Sequence, residues 1–163
     1  VLAEVAKKIP GIEKIGHKKA EDGRLLLQFN DCGYKDPFYA PSMSDGTLKY
    51  FAYMLMLEDP EPAPLIGIEE PENGLHHQLL GPLASEMQRR ANMPNGPQVL
   101  VTTHANYFVD ALAPHEVFLL SKGKDGVSTV KCAADDQAVV DMVTDGIPLG
   151  SLWYSNHLGG GNP

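Results

Sequence analysis

Leu65-Ile66-Gly67-Ile68 runs without a polar break into Glu69-Glu70-Pro71-Glu72, and the fold turns on this stretch. A short apolar run that does not alternate with polar residues is the pattern of a strand covered on both faces, as in a parallel sheet. A buried strand running directly into these residues delivers consecutive carboxylates to its C-terminal tip. In open α/β sheets that edge is where ligands collect. Side chains alternate along a strand, so Glu69 and Glu70 serve different ends, one facing a metal and the other a water. Hydrolysis of a phosphoanhydride needs that division, because Mg²⁺ neutralises the phosphates while a base orients the attacking water. A solvated acidic loop after a strand reads the same segment equally well when it is taken alone.

Moving outward, Gln98-Val99-Leu100-Val101-Thr102-Thr103 repeats the buried-strand pattern and is predicted to lie beside the first strand. It ends at His104, which the topology brings to the same edge. A histidine there can donate to a phosphoryl oxygen or hold a water; in isolation it is an ordinary helix-start residue. Between the strands, Leu75, Leu79, Leu80, Leu83 and Met87 line one side of a helical crossover, with Gly81-Pro82 kinking or restarting it.

Upstream, Pro41-Ser42-Met43-Ser44-Asp45-Gly46-Thr47 supplies small capping residues before a helix predicted to be apolar on nearly every side and therefore buried. Such a helix start offers unpaired N–H groups to an anion, although a plain N-cap explains it too. The N-terminus reads as a helix end over residues 1–9, stopped by Pro10-Gly11, then a hairpin of Ile12–Ala20 and Arg24–Asn30. Downstream come a helix over Tyr107–Leu112, a strand over Glu116–Ser121 and a hairpin return over Val127–Cys132. Asp136–Trp153 reads as a terminal helix packing on the core, or as a surface that docks a partner. The expected fold is α/β, mainly a parallel sheet with flanking helices and a terminal β-hairpin. One domain over residues 1–155 and a flexible tail over 156–163 are predicted.

The 163 residues are 43% hydrophobic, enough for one core. A net charge of −8 argues against a nucleic-acid clamp, although Lys7, Lys8, Lys14, Lys18 and Lys19 make the opening stretch locally basic. Cys32 and Cys132 have neither metal-ligand nor redox spacing and are read as buried free thiols. No apolar run approaches the ~18 residues of a membrane span and no secretory signal is evident, so a cytoplasmic location without a membrane partner is expected. Beginning at Val1, the chain is expected to be a portion excised from a longer product.

MSDGT at 43–47, LIGIEEPENGLHH at 65–77 and VTTHANYFVDAL at 101–112 resemble, in order, the signature loop, the Walker B strand with D-loop, and the H-switch of ABC-type ATPases. The resemblance is to the SMC-like and overcoming-lysogenisation-like branch, many of whose members serve bacterial DNA repair and phage defence. It implies the C-terminal lobe of a P-loop NTPase head that binds and hydrolyses ATP with Mg²⁺. By the same resemblance Ser44, Asp45 and Gly46 belong to the loop that meets a nucleotide on the opposing subunit. Glu69 takes the magnesium position, Glu70 the general-base position, Asn73 and Gly74 the D-loop, and His104 the switch. The implied partners are an N-terminal ATPase half, a second head in a closed homodimer, and a nucleic acid or a nuclease or toxin.

The sequence departs from the family at three points. Glu69 stands where Asp is usual, Asp45 replaces a glycine and sets a negative charge beside a phosphate, and His77 stands where many relatives have proline. No G-x-x-x-x-G-K-[ST] occurs. Gly11-Ile-Glu-Lys-Ile-Gly16-His17-Lys18 lacks the lysine directly after the second glycine and the Ser/Thr, so the chain alone is expected to be inactive. Two alternatives remain: a metal-dependent phosphoesterase built from Glu69, Glu70, Glu72, His76 and His104, and a non-catalytic interaction or regulatory module.

Overall fold

The computed structural model describes residues 1–158 and has an α/β architecture. Its elements run α1 (Leu2–Ala6), β1 (Ile12–Lys19), β2 (Leu25–Asp31), β3 (Phe38–Tyr39), α2 (Asp45–Leu57), β4 (Leu65–Glu69), α3 (Leu80–Ala91) and β5 (Gln98–Thr102). They continue through α4 (Asn106–Val109), β6 (Phe118–Lys122), β7 (Ser128–Cys132), α5 (Gln137–Thr144) and α6 (Leu149–Tyr154). The strands form three small sheets: antiparallel β1-β2-β3, the pair β4-β5, and the antiparallel hairpin β6-β7. At the start of the β4-β5 pair Gln98 N donates to Pro64 O, and at its end Glu70 N donates to Thr102 O, so the two strands run parallel. The chain divides into two compact units, Val1–Gly67 with Asn73–His76 and Met87–Leu100, and Ile68–Glu72 with His77–Glu86 and the remainder from Val101.

In the first unit the register of β1 against β2 slips between Ile12 and Lys14. The irregularity lets Ile12 and Ile15, three residues apart, both turn inward, where strict alternation would send one of them to solvent. They join Val5, Ile9, Phe29, Tyr50, Phe51, Met54 and Leu57, and Phe29 meets Phe51 edge-to-face at 5.3 Å between centroids. The basic character expected of the opening stretch is partly neutralised: Lys7 pairs with Glu4, and Lys8 with Glu58.

Helix α2 departs from the sequence expectation. It buries one face, through Tyr50, Phe51, Met54 and Leu57, while Ala52 and Leu55 are exposed. An apolar census overstates burial where Met and Tyr can lie half in water. Cys32 likewise is exposed, not buried, because it falls in the turn after β2. Helix α3 starts at Leu80, directly after a 3₁₀ turn at His77–Leu79, so Pro82 lies in the first turn, where its missing N–H costs no helical bond. The helix predicted over Tyr107–Leu112 is a single turn, Asn106–Val109.

In the second unit Val109, Ala133, Val139, Leu149, Leu152 and Leu158 form one buried cluster, flanked by Val117, Leu119, Met142, Val143 and Trp153. The Asp136–Trp153 segment is thus two helices packed on a core. Of the tail expected over 156–163, Leu158 belongs to this cluster, and residues 159–163 lie outside the described residues. No helix among the described residues is long and apolar enough to cross a membrane.

Glu58, at the C-terminal end of α2, ties the first unit together by accepting from Lys8 Nζ at 2.6 Å and from Arg89. Burial pushes its carboxyl upward, but the hydrogen bonds and charges of Lys8 and Arg89 outweigh this and hold it below its ordinary value of 4.5. Its stabilisation is therefore complete above the unfolded-state value and is lost as pH falls through the depressed folded value. Glu58→Gln is expected to lower unfolding free energy by about 1–2 kcal/mol at neutral pH. In urea titrations the gap from wild type should close below about pH 4; a gap unchanged into acid would show that the pair contributes nothing.

Candidate functional site

The expected site residues fall into two groups, one in each unit. In the first unit Ser44 caps α2: its Oγ accepts from Thr47 N at 3.1 Å and lies 2.8 Å from Thr47 Oγ1. The first intrahelical bond runs from Leu48 N to Ser44 O, which leaves the N–H groups of Asp45 and Gly46 without helical partners at the positive end of a 13-residue helix. Asp45 is the first helical residue and is exposed, a position that suits the dipole and sets a carboxylate beside any anion arriving there.

The turn that follows Glu72 reaches this helix start. Gly74 has φ +78°, which a side chain rarely tolerates, and its carbonyl oxygen lies 2.8 Å from where a Cβ on Gly46 would stand. Lys49 Nζ donates to Asn73 O and also lies 5.7 Å above the Tyr53 ring. Glycine at position 46 is thus a packing requirement, and Ser44-Asp45-Gly46 and Asn73-Gly74 form one contiguous surface.

In the second unit the tip of β4 meets the end of β5. Glu69 is the last strand residue and is exposed. At Glu70 the backbone turns to φ +42°, an unfavourable region for a side-chain-bearing residue and more so before proline. The turn is held by Glu70 N donating to Thr102 O at 2.8 Å and by the buried ring of Pro71. It leaves the Glu70 carboxylate 3.8 Å from His104 Nε2, so the residues expected as general base and switch face each other.

Glu72 is the residue that sequence reasoning misplaced. Offered only as a ligand in the alternative metal cluster, it instead accepts from Thr103 Oγ1 at 2.9 Å and from His104 N at 2.6 Å. Thr103 Oγ1 in turn accepts from Ala105 N at 3.0 Å. The alternation of Glu70 and Glu72, with a hydroxyl just before the histidine, was the available signal. Trp153 was also missed: its ring stacks on His104, with centroids 6.4 Å apart and planes inclined by 29°. A contact across nearly fifty residues of sequence leaves no local pattern. Among the described residues no group of three or more His, Cys, Asp or Glu side chains could hold a metal by itself. The five-residue phosphoesterase cluster therefore does not assemble, and Glu72 is engaged elsewhere.

The family described as "AAA domain, putative AbiEii toxin, Type IV TA system" matches residues 3–110. Among solved structures, one from work on the "structural biochemistry of ATP-driven dimerization and DNA stimulated activation of SMC ATPases" is 19% identical with a TM-score of 0.60, covering 86% of this chain and 87% of its own. An SmcHead bound to the C-winged helix domain of ScpA is 21% identical with a TM-score of 0.56, over 78% of this chain and 39% of its own. An Smc head domain with an extended coiled coil, bound to the C-terminal domain of ScpA derived from Pyrococcus furiosus, is 17% identical with a TM-score of 0.54, over 86% and 35%. Likeness at these identities establishes the fold. No curated protein matches the chain.

Gly46→Ala is expected to destabilise the chain by about 1–3 kcal/mol, since a methyl there runs into the Gly74 carbonyl. Gly16→Ala, with open space around the added carbon, is the matched control and should be neutral or stabilising by up to about 1 kcal/mol. Equal unfolding midpoints for the two variants would remove the contact between the helix start and the Asn73-Gly74 turn.

Proposed function

Because the chain belongs to this AAA domain family and has the fold of an SMC ATPase head, we propose that it is the C-terminal lobe of an ATP-hydrolysing head. The observation that carries this reading is the approach of Glu70 to His104 at the tips of two parallel strands. Glu70 is the general base: its carboxylate accepts a proton from the attacking water. His104 faces the same space and donates to the oxygen on which charge develops. Glu72 and Thr103 act on the backbone of the switch, fixing where the imidazole stands.

The residues at the strand tip fit magnesium. One exposed carboxylate, Glu69, stands at the end of β4, and the described residues assemble no closed cage; Mg²⁺ is commonly held by one or two carboxylates, waters and the substrate's own phosphates. When bound, the ion neutralises the phosphates of the nucleotide.

The first unit supplies the second half of the reading. The Asp45 and Gly46 amides and the Ser44 hydroxyl are the contact that a γ-phosphate on an opposing head would find, so two heads pair head-to-tail around two nucleotides. The SMC ATPases of the similar structure are described as dimerising with ATP. The phosphate loop comes from an N-terminal half. Leu65 and Leu100 in one unit, and Phe118, Leu120 and Val130 in the other, are all more than half exposed, and these apolar strand residues suit cover by further sheet and helix. The work driven by the cycle belongs to DNA repair or anti-phage defence, with a nucleic acid or a nuclease or toxin as partner, in the cytoplasm.

In the full-length protein Glu70→Gln is expected to lower kcat for ATP by about 10²–10⁴-fold while nucleotide still binds, so that a nucleotide-bound dimer accumulates in size-exclusion chromatography. Turnover at the wild-type rate in that variant would remove Glu70 from the base role.

A further inference from the structure

Helix α6 lies beyond the residues matched by the family, 3–110, yet it touches the switch. Its placement is fixed by short contacts within one unit. Gly150 N donates to Asp110 Oδ1 at 2.8 Å, and a Cβ on Gly150 would collide with the carbonyl of Asn106. Asn106 opens α4, two residues after His104, so α6 is seated on the turn that the switch histidine begins. The first turn of α6 is buried through Leu149 and Gly150, and Leu152 is buried as well, whereas Trp153 flanks that cluster and presents its ring to His104.

We infer that Trp153 is a positioning residue for His104, a flat apolar wall that confines the imidazole to the orientation in which Nε2 faces Glu70. The inference rests on the proposed ATPase reading of His104. Three constraints then act on one histidine: Glu72 holds its backbone N–H, Glu70 faces its ring nitrogen, and the Trp153 ring stands beside its ring, with centroids 6.4 Å apart. With the indole in place the histidine side chain is still 75% exposed, so the indole is one of few groups beside the ring, and without it less restrains the ring's rotation. Aromatic rings at 4.5–7 Å between centroids attract one another in offset arrangements. The C-terminal helix therefore belongs to the switch and gives any partner that moves α6 a route to turnover.

The test is steady-state ATP hydrolysis by the full-length protein carrying Trp153→Leu, Trp153→Phe, His104→Ala and the double variant Trp153→Leu/His104→Ala, with thermal midpoints measured alongside. Leucine keeps the apolar contact with the core and removes the ring. Trp153→Leu should lose about tenfold in kcat with KM for ATP unchanged, because the wall acts in the transition state and not in binding. Trp153→Phe should stay within about twofold of wild type. In the double variant the loss should equal that of His104→Ala alone, since the indole then has nothing to position. Wild-type kcat in Trp153→Leu, equal losses in Leu and Phe, or additive losses in the double variant overturn the inference while leaving a slow His104→Ala to support the ATPase reading. A His104→Ala variant that turns over normally overturns the switch role and the inference with it.

Discussion

One carboxylate joins the two strand ends on which the second unit is built. Glu72 lies in the turn after β4 and accepts both from the hydroxyl of Thr103 and from the main-chain N–H of His104. Charge-assisted bonds of this kind are roughly twice as strong as neutral ones, and two on one carboxylate fix direction as well as distance. The consequence is register. With the turn after β4 tied to the turn after β5, Glu70 and His104 have little freedom to drift apart. Glu72 also removes itself from competition for a cation, so three glutamates within four residues do not amount to one acidic basin.

Much of this was legible in the sequence, and the reasons are specific. The apolar runs at 65–68 and 98–103 have no alternation to mislead, and each ends on polar residues with chemical meaning, so both strands and the approach of Glu70 to His104 followed from topology. The hairpins at the two ends were marked by turn residues. What escaped was decided by partners distant in sequence. The burial of one face only on α2 depends on what lies over Leu55, and Cys32 is exposed because the chain turns there, not because of its own chemistry. Asp110, which follows the single turn of α4, accepts from the N–H of Gly150 forty residues away, a contact that no local pattern announces. The stacking of Trp153 on His104 has the same origin.

The left-handed backbone at Glu70 is a local conflict between sequence and structure. A non-glycine residue there lies in a sparsely populated region that costs on the order of 1–3 kcal/mol, and the proline that follows narrows its choices further. Glycine would relieve the strain but would remove the carboxylate. A strained position that must keep its side chain is a mark of a site, and the strain is held by contacts on both sides: Thr102 O receives the Glu70 N–H, and Pro71 is buried behind it. By contrast Gly74, φ +78°, has taken the unstrained solution, because only its backbone is needed against Gly46.

On the proposed reading, the distribution of groups between this lobe and the rest of a head follows from what each must do to the reaction coordinate. Groups that grip the triphosphate bind substrate and transition state about equally and set affinity; groups that meet the water and the developing charge act mainly in the transition state and set kcat. The 163 residues carry no phosphate loop, but they do carry a carboxylate facing an imidazole at the sheet edge and a capped helix start with unpartnered N–H groups. Under that proposal such a lobe contributes rate more than affinity. Within the second unit Glu72 holds the backbone of His104, and α6 is seated on α4 beside it. On the proposed reading, small movements of these strand tips would alter turnover while leaving nucleotide binding to the other half.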